Sequence, residues 1–226
     1  SATQVFEIVQ GALNLDQVMS PDTQVYRGQK GLRVSLIARN TSLAPVTLTA
    51  AALTFNNQAN YFTFSALPDN PVLIPGQATF TLRFNVDVGK DAPVGNTVLD
   101  GSLAGGGVIP AIGAQQTASW QILEAKNELS QNYPNPFKGA SAGNKFTTFD
   151  YFVKDDVTVT LKIYNLAGEL VAVLVDANPG IGKHSVSWNG GNGDPGQTGK
   201  PLGSGVYLAV LQTGSYKEIR KVVVIR

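Results

Sequence analysis

Cysteine is absent from this chain of 226 residues, which excludes disulfides and thiolate metal sites and leaves the compartment unreadable from redox chemistry. Stability must come from packing alone. Charge is sparse as well: Asp, Glu, Lys and Arg make up 15% of the sequence, against about 25% in an ordinary soluble domain. Lys and Arg number 17 and Asp and Glu 16, for a formal net charge of +1. That balance provides no field to hold a phosphate backbone or an anionic membrane, so nucleic acid is excluded as a partner. No apolar run approaches the ~20 residues of a membrane-spanning helix, so there is no direct membrane insertion of that kind. An uninterrupted 3.6-residue period is also missing, because Gly or Pro recurs every few residues.

What is abundant is Thr, Ser, Val, Gly and Asn, the residues that half-buried strands joined by tight turns require. The chain reads as all-β. Its length exceeds the ~100 to 150 residues of a typical domain, and the expectation is two antiparallel β-sandwiches in tandem. The first spans residues 1–124 and the second residues 142–226, with a Pro-rich connector at 125–141. The start at Ser1, without an initiator methionine, suits a mature product whose signal peptide has been removed, which leads to an expectation of an extracellular or cell-surface location.

The most regular strand is Thr79 to Val88, where Phe80, Leu82, Phe84, Val86 and Val88 share one face and Thr, Arg, Asn and Asp share the other. The same period of two runs through Leu32, Val34, Leu36 and Ala38, and through Val46, Leu48 and Ala50. Turn formers at Asn40-Thr41-Ser42 and Asn56-Asn57-Gln58 punctuate these segments. Further strands are expected at Thr97 to Leu103, before an interruption at Gly105-Gly106-Gly107, and at Thr117 to Leu123 with Trp120 and Ile122 facing one way. In the second module strands are expected at Val157 to Tyr164, Leu170 to Val175, His184 to Trp188, Gly205 to Gln212 and Ile219 to Ile225. Asn165-Leu166-Ala167-Gly168 and Gln212-Thr213-Gly214-Ser215 fall where hairpin turns are needed.

The second module carries an ordered set of motifs: Asn132-Tyr133-Pro134-Asn135-Pro136-Phe137, then Ile163 to Val171, then Gly182 to Gly190 with Trp188, then Ser204-Gly205-Val206-Tyr207, then Arg220 to Arg226. In that order they resemble the immunoglobulin-like C-terminal domain shared by type IX secretion sorting domains and the flagellar hook-capping protein, over about residues 129–226. The resemblance implies a sandwich fold, export beyond an outer membrane, and outer-membrane secretion machinery as a partner. It marks Asn132, Pro134, Asn135, Pro136, Phe137, Trp188, Gly205 and Tyr207 as the sorting or structural motif. The first module resembles bacterial surface immunoglobulin-like modules more loosely, through Val34 to Thr41. Fold class is therefore two tandem immunoglobulin-like sandwiches.

Chemistry finds little support. His184, the single imidazole, sits within an expected strand with no companion at motif spacing, and Asp155-Asp156 precedes a strand as turn residues do. The loop from Asn189 to Gln197 offers oxygen ligands but one carboxylate, Asp194, and lacks the acidic spacing of a calcium loop; a Gly-rich hairpin is the alternative. The Gly105-Gly106-Gly107 run lacks the Gly-Lys-Ser or Gly-Lys-Thr of a phosphate loop. No cofactor and no enzymatic activity are expected. Tyr61, Phe62 and Phe64 suit either a glycan platform or, by their alternation, a core.

The sequence thus suggests a secreted structural protein that self-assembles, or contacts other surface proteins, through strand edges; the alternative is a monomeric adhesive or carbohydrate-binding module. In the first case the stretch Thr3 to Leu15, with Val5, Phe6, Ile8 and Val9, is a candidate donor strand; in the second it is the first strand of its own module.

Overall fold

The computed structural model describes residues 13–56, 58–106, 108, 110–138, 146–192 and 199–226. The candidate donor residues Val5, Phe6, Ile8 and Val9 lie outside them, whereas Leu13 and Leu15, the end of the same candidate stretch, are buried in the chain's own first strand and pair with Asn40 and Ala38, so that part is not available for donation. The chain divides into two compact units, Ser1–Glu124 and Ala125–Arg226, each an all-β, immunoglobulin-like sandwich with its own core, its sheets antiparallel except for one short parallel pair, Gln24–Tyr26 beside Gln121–Leu123, in the first unit.

The first unit contains β1 (Leu13–Met19), β2 (Gln24–Tyr26), β3 (Leu32–Asn40), β4 (Val46–Phe55), β5 (Phe62–Ala66), β6 (Leu73–Ile74), β7 (Thr79–Val88), β8 (Gly95–Gly105), β9 (Ala111–Ile112) and β10 (Ala118–Leu123). One sheet runs β1-β3-β7-β5; the other runs β2-β10-β8-β4-β6, with β9 beside β8. The alternation in β3 and β7 does what its period requires: Leu32, Val34, Leu36 and Ala38 pair with Val86, Phe84, Leu82 and Phe80, and all eight are buried. Trp120 and Ile122 close the core from the facing sheet.

Two expectations in this unit need correction. Val46, Leu48 and Ala50 do not share a buried face, because a β-bulge between Leu48 and Ala50 resets the phase. Ala50 is exposed, and Leu53 and Phe55 carry the core face onward. The interruption expected at Gly105 does not occur there: Gly105 ends β8 paired with Leu48, and the Gly106 N–H donates to the Thr47 carbonyl at 3.1 Å. The turn at Asn40-Thr41-Ser42 is built around a fully buried Asn40, whose amide donates to the carbonyls of Ala44, Ile74 and Pro75 and whose oxygen accepts from Ser42.

The second unit contains β11 (Glu128–Leu129), β12 (Thr147–Val153), β13 (Val159–Tyr164), β14 (Leu170–Ala177), β15 (Gly182–Trp188), β16 (Gly191–Asn192), β17 (Lys200–Pro201), β18 (Gly205–Thr213) and β19 (Tyr216–Val224). Its sheets run β11-β12-β15 and β14-β13-β18-β19, with β16 and β17 as a short hairpin. The stretch read as a connector, 125–141, is not a spacer where it is described. Leu129 and Phe137 are core residues of this unit, and β11 pairs with β12. Strand β12 was not expected at all, although Thr147, Phe149, Tyr151 and Val153 alternate as buried residues along it.

Both expected hairpins form. Asn165 accepts through its side chain from the Ala167 and Glu169 N–H groups, and Gly168 takes φ +83°. Thr213 pairs with Tyr216 across Gly214-Ser215, and Gly214 takes φ +55° at the first central position, as a type II′ turn demands.

Candidate functional site

The motif residues of the second unit converge at one end of its sandwich. The Tyr133-Pro134 and Asn135-Pro136 bonds are both cis. Asn132, 1% exposed, donates from its amide to Thr147 Oγ1 at 2.8 Å and to the Pro134 carbonyl at 3.3 Å, while Thr147 Oγ1 donates to the same carbonyl. Asn135 takes the place of a neighbouring strand: its Oδ1 accepts from the Val223 N–H at 2.9 Å and its Nδ2 donates to the Lys221 carbonyl at 3.2 Å. One residue beyond Pro136, the Phe137 N–H donates to the Val223 carbonyl and the Phe137 carbonyl accepts from the Ile225 N–H. The Phe137 ring is wholly buried, with its centroid 6.5 Å from that of Trp188, which in turn meets Tyr207 edge-on at 6.3 Å. Trp188 Nε1 donates to the Gly191 carbonyl, and the Arg226 guanidinium donates to the Gly190 carbonyl. Gly190, at φ +75°, admits no side chain, since a Cβ there would stand 2.7 Å from Phe137 Cε1. Gly205 differs: a Cβ would meet only ordinary contact with Tyr207 at 3.7 Å.

A polar clasp ties β11 to β19 nearby. The Glu218 carboxylate accepts from the Leu129 N–H at 2.6 Å and the Tyr216 hydroxyl at 2.5 Å, and pairs with Arg220. Burial disfavours the carboxylate, yet the Tyr216 and Leu129 hydrogen bonds and the Arg220 charge together hold Glu218 below its ordinary range. Burial, followed by the bond to Glu218, pushes the Tyr216 phenol up to about 12.

The strand edges divide into guarded and open. Beside β1, Gln115 and Gln116 donate to the Leu15 and Asp16 carbonyls and the Val18 N–H donates back to Gln116, and β1 is bulged between Leu15 and Gln17. Strand β14 meets β13 through two register shifts, and bulged edges resist further pairing. The C-terminal half of β19 is bonded by Asn135 and Phe137, as above, and by Gln131, which donates to Lys221. Strand β15 carries Lys183, paired with Asp150 at 3.7 Å. Strand β5 has none of these devices. It pairs with β7 without a bulge from Phe62↔Val88 to Ala66↔Phe84, carries no charge, and leaves Phe64 39% exposed.

The other candidate positions are structural or lie elsewhere. His184 Nε2 is 3.0 Å from the Gly180 carbonyl and its ring lies against Tyr151. Asp155 lies in a turn, where its carbonyl accepts from the Val157 N–H, and Asp156 accepts from Asn178. No group of three or more His, Asp or Glu is placed to hold a metal among the described residues; Asp194, the one carboxylate of the Asn189 to Gln197 loop, lies outside them. Phe62 stacks on Phe55 at 4.2 Å in the core, and Tyr61 stays 39% exposed beside it. No helix among the described residues is long and apolar enough to cross a membrane.

No protein-family model matches the chain, and no curated protein matches it. Solved structures similar to it include domains 5–6 of the S-layer protein SbsC, at 11% identity, 95% of this chain, 98% of that chain and a TM-score of 0.29. The C-terminal domain of the Streptococcus agalactiae AgI/II polypeptide BspA is 9% identical over 96% of this chain and 100% of that chain, with a TM-score of 0.26. The secreted serine protease VesC from Vibrio cholerae is 8% identical over 92% of this chain and 50% of that chain, with a TM-score of 0.33. Likenesses this distant bear on neither partner nor activity.

Proposed function

We propose that this chain is an exported, non-enzymatic structural protein of the bacterial cell surface whose copies assemble into a filament or array through β-strand edges. The observation that supports this reading is the contrast among edges: the long ones carry bulges, side-chain caps or a lysine, whereas β5 is straight, uncharged and bare. An unguarded edge is a template for another strand, and a chain that protects its other edges has the means to protect this one. In this reading the second unit is a sorting-type module read by outer-membrane secretion machinery, as the resemblance of residues 129–226 implies. Light scattering and negative-stain microscopy of the purified full chain test the assembly. Filaments or sheets are expected, and a species of 23.9 kDa at every concentration refutes it.

A second reading, an adhesive module for glycan, has its own observation. Tyr133 is 82% exposed opposite Thr148, Phe146 is 54% exposed two residues along from Thr148, and Thr148 Oγ1 lies 3.1 Å from Ser187 Oγ. Aromatic rings beside hydroxyls suit a sugar ring. Retardation of the wild type, but not of Tyr133→Ala, in a polysaccharide affinity gel is the result this reading requires.

A further inference from the structure

We propose that the outer edge of β5 is the acceptor for strand addition by residues 3–10 of a second copy, joining copies head to tail; the proposal rests on the self-assembly reading above. The backbone polarity of the edge follows from two hydrogen bonds. The Gly89 N–H donates to the Tyr61 carbonyl and the Leu67 N–H donates to the Arg83 carbonyl. Antiparallel pairs alternate, so residues 61, 63, 65 and 67 turn their backbone groups toward β7, and Phe62, Phe64 and Ala66 turn theirs outward. The Phe62 N–H is taken by the Ala59 carbonyl. The Phe62 carbonyl and both groups of Phe64 and Ala66 are left facing away from the sheet, and none of the described residues hydrogen-bonds to them.

Thr3 to Gln10 contains Val5, Phe6, Ile8 and Val9 with one charge, Glu7, and neither Gly nor Pro before Gly11, a composition suited to an extended strand. With Phe6 opposite Phe64 in antiparallel register, Phe6 and Gln4 satisfy the outward groups of Phe64 and Ala66, and the Ile8 N–H reaches the Phe62 carbonyl. That register covers the half-exposed Phe64 ring with Phe6, sets Ile8 beside Phe62, and leaves Glu7 on the solvent side.

The chain's own arm does not reach. Its next strand, β1, is the opposite edge of the same sheet, β1-β3-β7-β5. An added strand beyond β5 stands four inter-strand spacings from β1, about 19 Å. The five steps from Ile8, the last donor residue bonded in that register, to Leu13 span at most ~18 Å, and the pairings Phe62↔Val88, Arg39↔Thr79 and Leu13↔Asn40 set the two ends at opposite ends of the sheet as well. The donor therefore belongs to another copy. The strand that follows the donor, β1, and the acceptor β5 lie at opposite edges of one sheet, which makes the contact heterologous and open-ended unless its rotation closes a ring.

The absence of cysteine makes thiol cross-linking clean. In this register Val5 stands across from Ser65 on the exposed face, so V5C/S65C under mild oxidation is expected to give a ladder of covalent oligomers beyond the dimer, and S65C alone none. Dimers from S65C alone identify a two-fold β5–β5 contact and overturn the proposal. Ala66→Pro removes an outward N–H without touching the β7 ladder. It is expected to raise the concentration for assembly about tenfold or more with an unchanged thermal midpoint. If wild-type filaments form and both A66P and the cysteine pair leave them unaffected and unlinked, the acceptor is elsewhere and self-assembly stands. If the wild type never assembles, both readings fall.

Discussion

Strand β19 ends one sheet of the second unit with Gln131, Asn135 and Phe137 bonded along its outer side, whereas β5 ends one sheet of the first unit with all its outward groups but the Phe62 N–H bare of any described partner. Both strands pair with one neighbour, and both pairings run without a bulge. The difference lies in what the preceding chain does. The segment before β12 crosses to β19 and substitutes side-chain amides for a missing strand, so its polar groups are spent inside the unit. No segment of the first unit's described residues does this for β5. An edge is thus closed or open by the path of a few loop residues rather than by the strand's own sequence.

The cover along β19 depends most heavily on Phe137. Phe137→Ala removes a fully buried ring and is expected to destabilise the second unit by about 3–5 kcal/mol. In a Trp120→Phe background, Trp188 fluorescence during urea unfolding reports on that unit and should show the loss. Asn132→Ala leaves the Thr147 hydroxyl one partner short in a buried site and is expected to cost about 1–3 kcal/mol by the same measurement.

The Glu218 clasp gives a pH test. Its carboxyl titrates below the ordinary value of 4.5 in the folded protein. The clasp therefore stabilises the second unit above the unfolded-state pKa, and that contribution disappears as pH falls through the folded-state value. Thermal midpoints should decline more steeply below pH 4.5 in wild type than in Glu218→Gln, which should already be lower at neutral pH. The smallest stability effect falls at Asn135. Asn135→Ala is expected to cost about 1 kcal/mol while uncovering the Val223 N–H on β19, the Lys221 carbonyl keeping Gln131, so light scattering should detect association through this edge that the wild type does not show there.

Much of the fold was legible because burial imposes a period. The faces of β3, β7 and β13 are read directly from alternating Leu, Val, Phe and Ile, and the hairpins from Asn165 to Gly168 and at Gly214 follow from residues that tolerate the required backbone angles. The phase of β4 was not legible, since Leu48 and Ala50 look equivalent in a list and differ only through a bulge against β8. Strand β12 lies within the expected second module but was not read as a strand, because the apolar Phe152 between Tyr151 and Val153 blurs the period of two that Phe149, Tyr151 and Val153 keep. The motif residues Asn132, Asn135, Phe137 and Trp188 were singled out by resemblance, but their role as a brace, and the part of Gly190 in admitting the Phe137 ring, required the tertiary contacts.

By itself the sequence determined that this is an all-β protein of two modules without cysteine chemistry, because composition and a period of two leave few other ways to bury these apolar residues. Which strands lie at the edges, and whether each edge is covered, was decided only by the tertiary structure. Backbone hydrogen-bonding groups are the same in every residue, so whether a given N–H is satisfied depends on what the fold places beside it.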